Sequence, residues 1–223
     1  MYKDRNFCKF ALINLIEMNK IIAFASMLLM TVAALAQTPE EILTRMEEEM
    51  SKHEKEGLIM TVDTKLPIVG TMSIKSYMLG DKSRTETSVK QYKMIVWSDG
   101  KTKWTYDSKN NVVKIQHAKP NADDSNDAEM FSGITDGYDV SLKKETADAW
   151  YIFCKKSKNN KDKDDPGKMD VVVAKGTYFP ISLSAKAFGV SMTLRDFSFG
   201  VTEEQVSFRP ESAPGAQIVD KRK

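Results

Sequence analysis

The chain has 223 residues, room for one large domain or two small ones, with 33 basic and 31 acidic side chains and a formal charge of +2. So even a balance leaves no electrostatic footprint for nucleic acid and none for an anionic membrane surface. Two cysteines and two histidines are little material for a thiol–imidazole couple or a Cys/His metal site.

In chain order, the first segment reads as a leader. Asn19-Lys20 give a short positive region, Ile21 to Ala34 is almost wholly apolar, and Ala34-Leu35-Ala36 offers an A-x-A cleavage site before Gln37. These are the three parts of a secretory signal peptide, and the apolar run falls short of the about 20 residues of a membrane span. Translation is expected to start at Met18, because residues 1–17 lack this logic; a long polar leader is the alternative. Residues 1–36 are expected to be removed, leaving one domain over 37–223, which is 187 residues, or 223 less 36. A bacterial lipoprotein would carry an acylated cysteine at the new N-terminus. Gln37 stands there, so an unanchored periplasmic protein is expected. Loss of Lys3, Arg5, Lys9, Lys20, Asp4 and Glu17 brings the formal charge from +2 to zero. Cys8 goes with the leader, so Cys154 has no partner for an intramolecular disulfide.

The mature chain opens on a helix start: Thr38 can cap, Pro39 suits the first helical position, and Glu41 completes a capping box. Ile42, Leu43, Met46 and Met50 follow at helical spacing, predicting an amphipathic helix to about Lys55, stopped by Gly57. From Leu58 the period becomes two. Leu58, Met60 and Val62 alternate with Ile59, Thr61 and Asp63, and then Ile68, Gly70, Met72, Ile74 and Met78 with Thr71, Ser73 and Lys75. Lys82 to Val89 reads as an exposed strand. Tyr92 to Trp97, Lys103 to Tyr106 and Val112 to Ile115 form a meander with turns at Asp99-Gly100 and Asn110-Asn111. Lys119 to Asp127 is loop, and Asp127 to Ile134 predicts a short helix. Strands resume at Tyr138 to Lys143 and Trp150 to Lys155, followed by a charged hairpin tip from Lys156 to Lys168. Further strands are predicted at Met169 to Ala174, Gly176 to Pro180, Ile181 to Ala187, Val190 to Phe199 and Val206 to Phe208. The fold class is mainly β (α+β). Ten or eleven closely spaced strands argue for a single curled antiparallel sheet, an unclosed barrel, with the N-terminal and short internal helices as lid.

No P-loop, G-x-G-x-x-G, G-x-S-x-G, H-E-x-x-H or clustered Cys/His set is present, so no enzyme, cofactor or metal is expected. Asp162, Asp164 and Asp165 do not fit a calcium loop, whose glycine and terminal glutamate are misplaced here. Cys154, with only His53 and His117 to serve it, reads as a small buried hydrophobe. Methionine is the abundant signal: Met60, Met72, Met78, Met94, Met169 and Met192 sit in predicted strands. Plain core packing and a wall for acyl chains account for it equally.

Four stretches carry a likeness that favours the second account. A leader is followed by the helix "TPEEILTRMEEEMSKHE". Next comes "IVGTMSIKSYMLGDKSRTET", then the meander "MIVWSDGKTKWTYDSKNNVVKI", and last "MTLRDFSFGVTEEQVSFRPESAPGAQIVD". Together they resemble the LolA/LolB superfamily of periplasmic lipoprotein carriers over nearly the whole mature chain, the meander most specifically. The resemblance implies an unclosed β-barrel with a helical lid over an apolar cavity. It implies acyl chains of lipoproteins, or another lipid, as cargo taken from an inner-membrane release complex to an outer-membrane acceptor by a monomer, without covalent chemistry. It also makes Arg84 a lid latch, although the flanking proline and aromatics of the family's motif are missing at Gly80 to Thr85. Trp97, Trp104, Tyr106 and Trp150 would supply aromatics near the cavity.

The expected cavity wall is Leu58, Met60, Val62, Met72, Ile74, Met94, Val96, Trp104 and Tyr106, with Trp104 and Tyr106 on the concave side. A one-residue error of parity would move any strand's members to the other face. Two further readings stand beside the carrier. One is a periplasmic protein-interaction or envelope-stress sensor domain on the same fold. The other is an enzyme acting on lipid or envelope polymer, through convergent carboxylates or Cys154 with a histidine.

Overall fold

The computed structural model describes residues 37–66, 70–89, 91–118, 133–163, 165–187 and 189–222. The expected leader over 1–36 and most of the expected helix over 127–134 lie outside these. The rest forms one compact unit from Pro39. Helix α1 (Pro39–Lys52) is followed by a 3₁₀ turn, Glu54–Glu56. The six strands of the first half are β1 (Leu58–Leu66), β2 (Gly70–Leu79), β3 (Lys82–Val89), β4 (Tyr92–Ser98), β5 (Thr102–Asp107) and β6 (Val112–His117). A four-residue helix α2 (Ile134–Gly137) leads into β7 (Tyr138–Glu145), β8 (Ala149–Lys156), β9 (Lys168–Ala174), β10 (Pro180–Ala187) and β11 (Val190–Phe199). Helix α3 (Glu203–Val206) and β12 (Gln217–Asp220) close the chain.

Among the described residues, all twelve strands make one unclosed curled sheet in the order β12-β6-β5-β4-β3-β2-β1-β11-β10-β9-β8-β7. Ten of the strand contacts are hairpin-like or long-range antiparallel pairs; β12 alone runs parallel, beside β6. The meander turns form as their residues dictate. Asp99 Oδ1 accepts from the backbone N–H of Lys101 at 2.9 Å and of Thr102 at 2.6 Å, and Asn111 takes a left-handed φ of 50°.

Two expected elements differ, and one strand is added. The segment Gly176 to Phe179 is turn, because Tyr178 adopts φ 58° and the Ala174 N–H bonds the Phe179 carbonyl, delaying β10 to Pro180. Val206 to Phe208 is not strand. Thr202 Oγ1 accepts from the Gln205 N–H at 3.4 Å and Gln205 Oε1 from the Thr202 N–H at 2.8 Å, a capping box that starts α3 instead. The tail supplies β12, for which the sequence analysis predicts no strand.

Gly57 joins the helical segment to β1 at φ 71° and ψ 158°, a region open in practice only to glycine. A Cβ there would lie 2.5 Å from the Met78 carbonyl oxygen and 2.8 Å from Val201 Cβ. Gly57→Ala in the chain from Gln37 is therefore expected to lose about 2–4 kcal/mol in urea unfolding. Wild-type stability in that variant would show that the junction relaxes freely.

Candidate functional site

Strand register assigns every side chain to a face, since directly paired residues point the same way. On one face, Leu58, Met60 and Val62 of β1 pair with Met78, Ser76 and Ile74 of β2, and Thr64 with Met72. Through β3, Ile74 leads to Thr87 and Met94, and Ser76 to Thr85 and Val96. The seven expected wall residues from β1, β2 and β4 thus share a face. Trp104 and Tyr106 do not. Val96 pairs with Thr105, while Trp104 pairs with Trp97 and Tyr106 with Ile95, so both rings lie on the opposite face. The expectation that they line the concave side is corrected: the register of the Asp99-Gly100 hairpin couples even-numbered residues of β4 to odd-numbered ones of β5.

Helix α1 covers the first face over β1 and β8–β10. Ile42, Leu43 and Met46 are fully buried and Met50 nearly so, against Leu58, Met60, Ile152, Cys154, Val171, Val173 and Leu183. Burial of four such side chains stabilises by about 6–12 kcal/mol, at about 1.5–3 each. Three polar contacts add direction. Arg45 Nη1 donates to Tyr178 Oη at 3.0 Å, with the guanidinium carbon Cζ 5.2 Å from the ring centre, and that ring stacks on Trp150 at 5.4 Å. Glu47 Oε1 accepts from the Ile134 N–H at 3.1 Å, tying the helix to α2. His53, at the helix end, stacks on Phe199 at 4.5 Å and meets Glu56 at 2.7 Å. Helical spacing singles out neither Arg45 nor Glu47, and His53 enters the sequence reading only as a candidate partner of Cys154; polar residues flanking the apolar stripe are the available signal.

Beyond the helix the same face stays apolar but uncovered by it. Val62, Met72, Ile74, Val96 and Leu194 are half-buried, and Met94 and Met192 are 47% and 37% exposed. This strip is the candidate site.

The opposite face holds a second core. Trp97 is 2% exposed and stands edge-on to Phe208 at 5.3 Å; Trp104 stacks on the same ring at 5.8 Å. Val113, Val201, Val206 and Ala213 are buried too, and α3 packs on β2 and β3. Tyr106 Oη donates to Asn111 Oδ1 at 3.2 Å, and Asn111 Nδ2 to the Gly215 carbonyl at 3.0 Å, stitching the meander to the tail. Arg84 belongs here. Its guanidinium lies over Tyr77 at 5.4 Å and Trp97 at 5.7 Å, pairs with Glu86 at 2.5 Å and reaches the Gln205 carbonyl at 3.5 Å. The expected latch on the helical lid is corrected: Arg84 points to the face away from α1 and fastens the C-terminal segment. Of the aromatics expected near the cavity, Trp150 alone lies on the helix side, packed against the core.

Cys154 is fully buried between Ile152 and Val171 neighbours, and burial, with the charge of Asp170, pushes its thiol up to about 12. Such a thiol is a packing group, not a nucleophile at neutral pH. Among the described residues no group of three or more His, Cys, Asp or Glu side chains could hold a metal, and no helix is long and apolar enough to cross a membrane.

No protein-family model and no curated sequence relative matches the chain. Solved structures similar to it include the Mycobacterium tuberculosis lipoprotein LppX, at 11% identity and TM-score 0.48, covering 74% of this chain and 98% of that one. A LolA superfamily protein of Nitrosomonas europaea matches at 10% identity and TM-score 0.34, covering 79% and 100%. MucB matches at 13% identity and TM-score 0.43, covering 79% and 65%.

Burial raises the Glu47 carboxyl above its ordinary value of 4.5, against the lowering effect of the Ile134 N–H. A raised folded-state value means that this group's contribution is complete at acid pH and lost as pH rises through that value. Glu47→Gln, which keeps an acceptor for Ile134, should therefore gain stability relative to wild type as pH rises from about 4.5, in urea midpoints at pH ~4 and ~7. A gap that is constant with pH would remove the desolvation account. Arg84→Leu should speed amide exchange across 203–208 and leave α1 unchanged; faster exchange in α1 would restore the latch.

Proposed function

We propose that the chain is a cell-envelope carrier that binds acyl chains on the apolar strip beside helix α1 and releases them without chemical change. The observation that carries this reading is the continuous face of Val62, Met72, Ile74, Met94, Val96 and Met192, which among the described residues is half-buried or exposed next to a fully packed helix. Flexible thioethers adapt to chains of differing length and branching, as a carrier of acylated cargo needs. The finer reading is transport of lipoprotein acyl chains across a periplasm, from an inner-membrane release complex to an outer-membrane acceptor, following the resemblance in the sequence. On this reading Cys154, buried beside Ile152 and Val171, is a packing group of the core.

A protein-interaction or sensor domain is the second reading. It is favoured by Tyr151 and Ile181, which are 36% and 46% exposed. The two separate under native mass spectrometry of the chain from Gln37, purified from an envelope fraction. A mass excess of acylated species, lost on organic extraction, is expected for a carrier. Ile74→Asp should weaken binding of a fluorescent fatty-acyl probe at least about tenfold, because a carboxylate on the strip must be desolvated by the chain. Trp104→Ala, on the other face, should leave that binding intact. An apo mass together with no acyl-probe binding would replace the carrier by the interaction domain.

A further inference from the structure

Strand register assembles a row of lysines on the face away from α1. Lys155 of β8 stands opposite Lys168 of β9. Lys168 and Lys186 of β10 come one step beyond the Met169–Ala185 pair. Lys186 pairs with Ser191 of β11, and Ser191 with Lys65 of β1. Each lysine is next in the chain to a residue of the helix-side face, Cys154, Met169, Ala185 or Thr64, so all four point the other way. From β8 to β1 the row crosses four strand spacings, about 19 Å. All four lysines are exposed, and among the described residues none has an ion pair or a side-chain hydrogen bond. Two nearby carboxylates on this face are engaged elsewhere: Asp170 with Lys143 at 2.5 Å and Asp63 with Arg195 at 2.7 Å. The row itself carries one carboxylate among the described residues, Asp139 of β7, opposite Lys155. The β8–β9 hairpin adds to the positive charge, since residues 155–168 hold six lysines and three aspartates.

Like charges set opposite one another on neighbouring strands destabilise a sheet, and here β8, β9 and β10 repeat the arrangement. A surface kept only for solubility would intersperse the signs. The even charge of the whole chain leaves no footprint for an anionic membrane on average; the fold concentrates one locally. We propose that this row docks the protein on an anionic lipid bilayer. Its composition separates that occupant from others. The row holds no arginine and no aromatic ring, whereas protein interfaces are enriched in both and depleted in lysine. Single-stranded nucleic acid, likewise, needs rings to stack on. Four ammonium groups on long flexible stems suit a diffuse negative surface, which asks for no fixed geometry. The position fits as well. Met192 follows Ser191 and Thr64, paired with Met72, precedes Lys65, so the methionine strip ends at the same edge of the sheet as the lysines. Docking at this edge sets the end of the strip at headgroup level, where an acyl chain enters or leaves a bilayer. The row is read from register and charge alone, and only this last consequence draws on the carrier reading.

The test is cosedimentation of the chain from Gln37, which holds the whole folded unit, with vesicles of phosphatidylcholine, alone or with about 30% phosphatidylglycerol. At low salt the native protein should bind the anionic vesicles at least about tenfold more tightly. Salt at about 1 M, where the Debye length is about 3 Å, should remove the difference. Lys168→Gln with Lys186→Gln should weaken binding to anionic vesicles about tenfold and leave fatty-acyl-probe binding in solution unchanged. The same variant should hold or raise the urea midpoint, because it removes a like-charge pair. Lys101→Gln with Lys114→Gln lowers the net charge equally at exposed positions outside the row, and should change vesicle binding by less than about twofold. Equal binding to the two vesicles, native binding by the 168/186 variant, or an equal loss in the 101/114 variant overturns docking by the row. Retention on immobilised polyglutamate without vesicle binding assigns the row to an acidic protein partner and overturns the lipid surface. None of these outcomes touches the carrier reading, which stands or falls on acyl-probe binding.

Discussion

The side of the sheet that buries its apolar residues changes over between the β1 half and the β3–β6 half, and the rest of the structure follows from that. From β7 across to β2 the greasy face is the one under helix α1; the far face there carries Asp63, Ser73, Thr193 and Arg195, with Arg195 Nε bonded to Asp63 at 2.7 Å. From β3 to β6 the face with a protein cover is the other one, with Trp97, Trp104 and Val113 beneath the C-terminal segment, while Met94 and Val96 keep the helix side of β4 apolar. A sheet of this width cannot be covered on one side by a single 14-residue helix. Two covers on opposite faces satisfy the two halves, and among the described residues neither places its buried apolar side chains on the helix-side face of β3–β6.

That division explains which parts of the fold were legible. Alternation of Leu58, Met60 and Val62 against Thr61 and Asp63 leaves no doubt about which side of β1 is buried. In β4 it does: Met94 and Val96 on one side and Ile95 and Trp97 on the other are all apolar, so burial cannot be read from the pattern. The correct choice was nevertheless present in the sequence. Asp99-Gly100 sets a hairpin in which Trp97 faces Trp104, so an inward Val96 demands an inward Thr105. Hairpin register, applied before hydrophobicity, would have moved Trp104, Tyr106 and Arg84 to the second core together.

Other losses have a different cause. Val206 and Phe208 look like alternate strand positions, but Thr202 and Gln205 sit at capping-box spacing, and reciprocal side-chain bonds to the backbone outweigh weak β-propensity over four residues. β12 is short and its signal is a single apolar pair, Ile218 and Val219; it forms because β6 offers an edge and Asn111 and Gly215 bring the tail to it. Neither Arg45 nor Glu47 could be singled out from helical spacing, because their partners, Tyr178 and Ile134, are distant in sequence.

The packing of α1 also limits how a ligand can enter. Lifting the helix would expose Ile42, Leu43, Met46 and Met50 at about 6–12 kcal/mol, a sum comparable with the whole stability of a typical domain. A chain that displaced it would have to return that energy through its own contacts before gaining any affinity. A chain laid beside it, over Met72, Ile74, Met94 and Met192, covers surface that is already part-exposed and leaves the Glu47 and Arg45 ties in place. Binding alongside the helix, rather than in its stead, is the route that the energetics favour. On that route, affinity depends on how much of the methionine strip the chain covers.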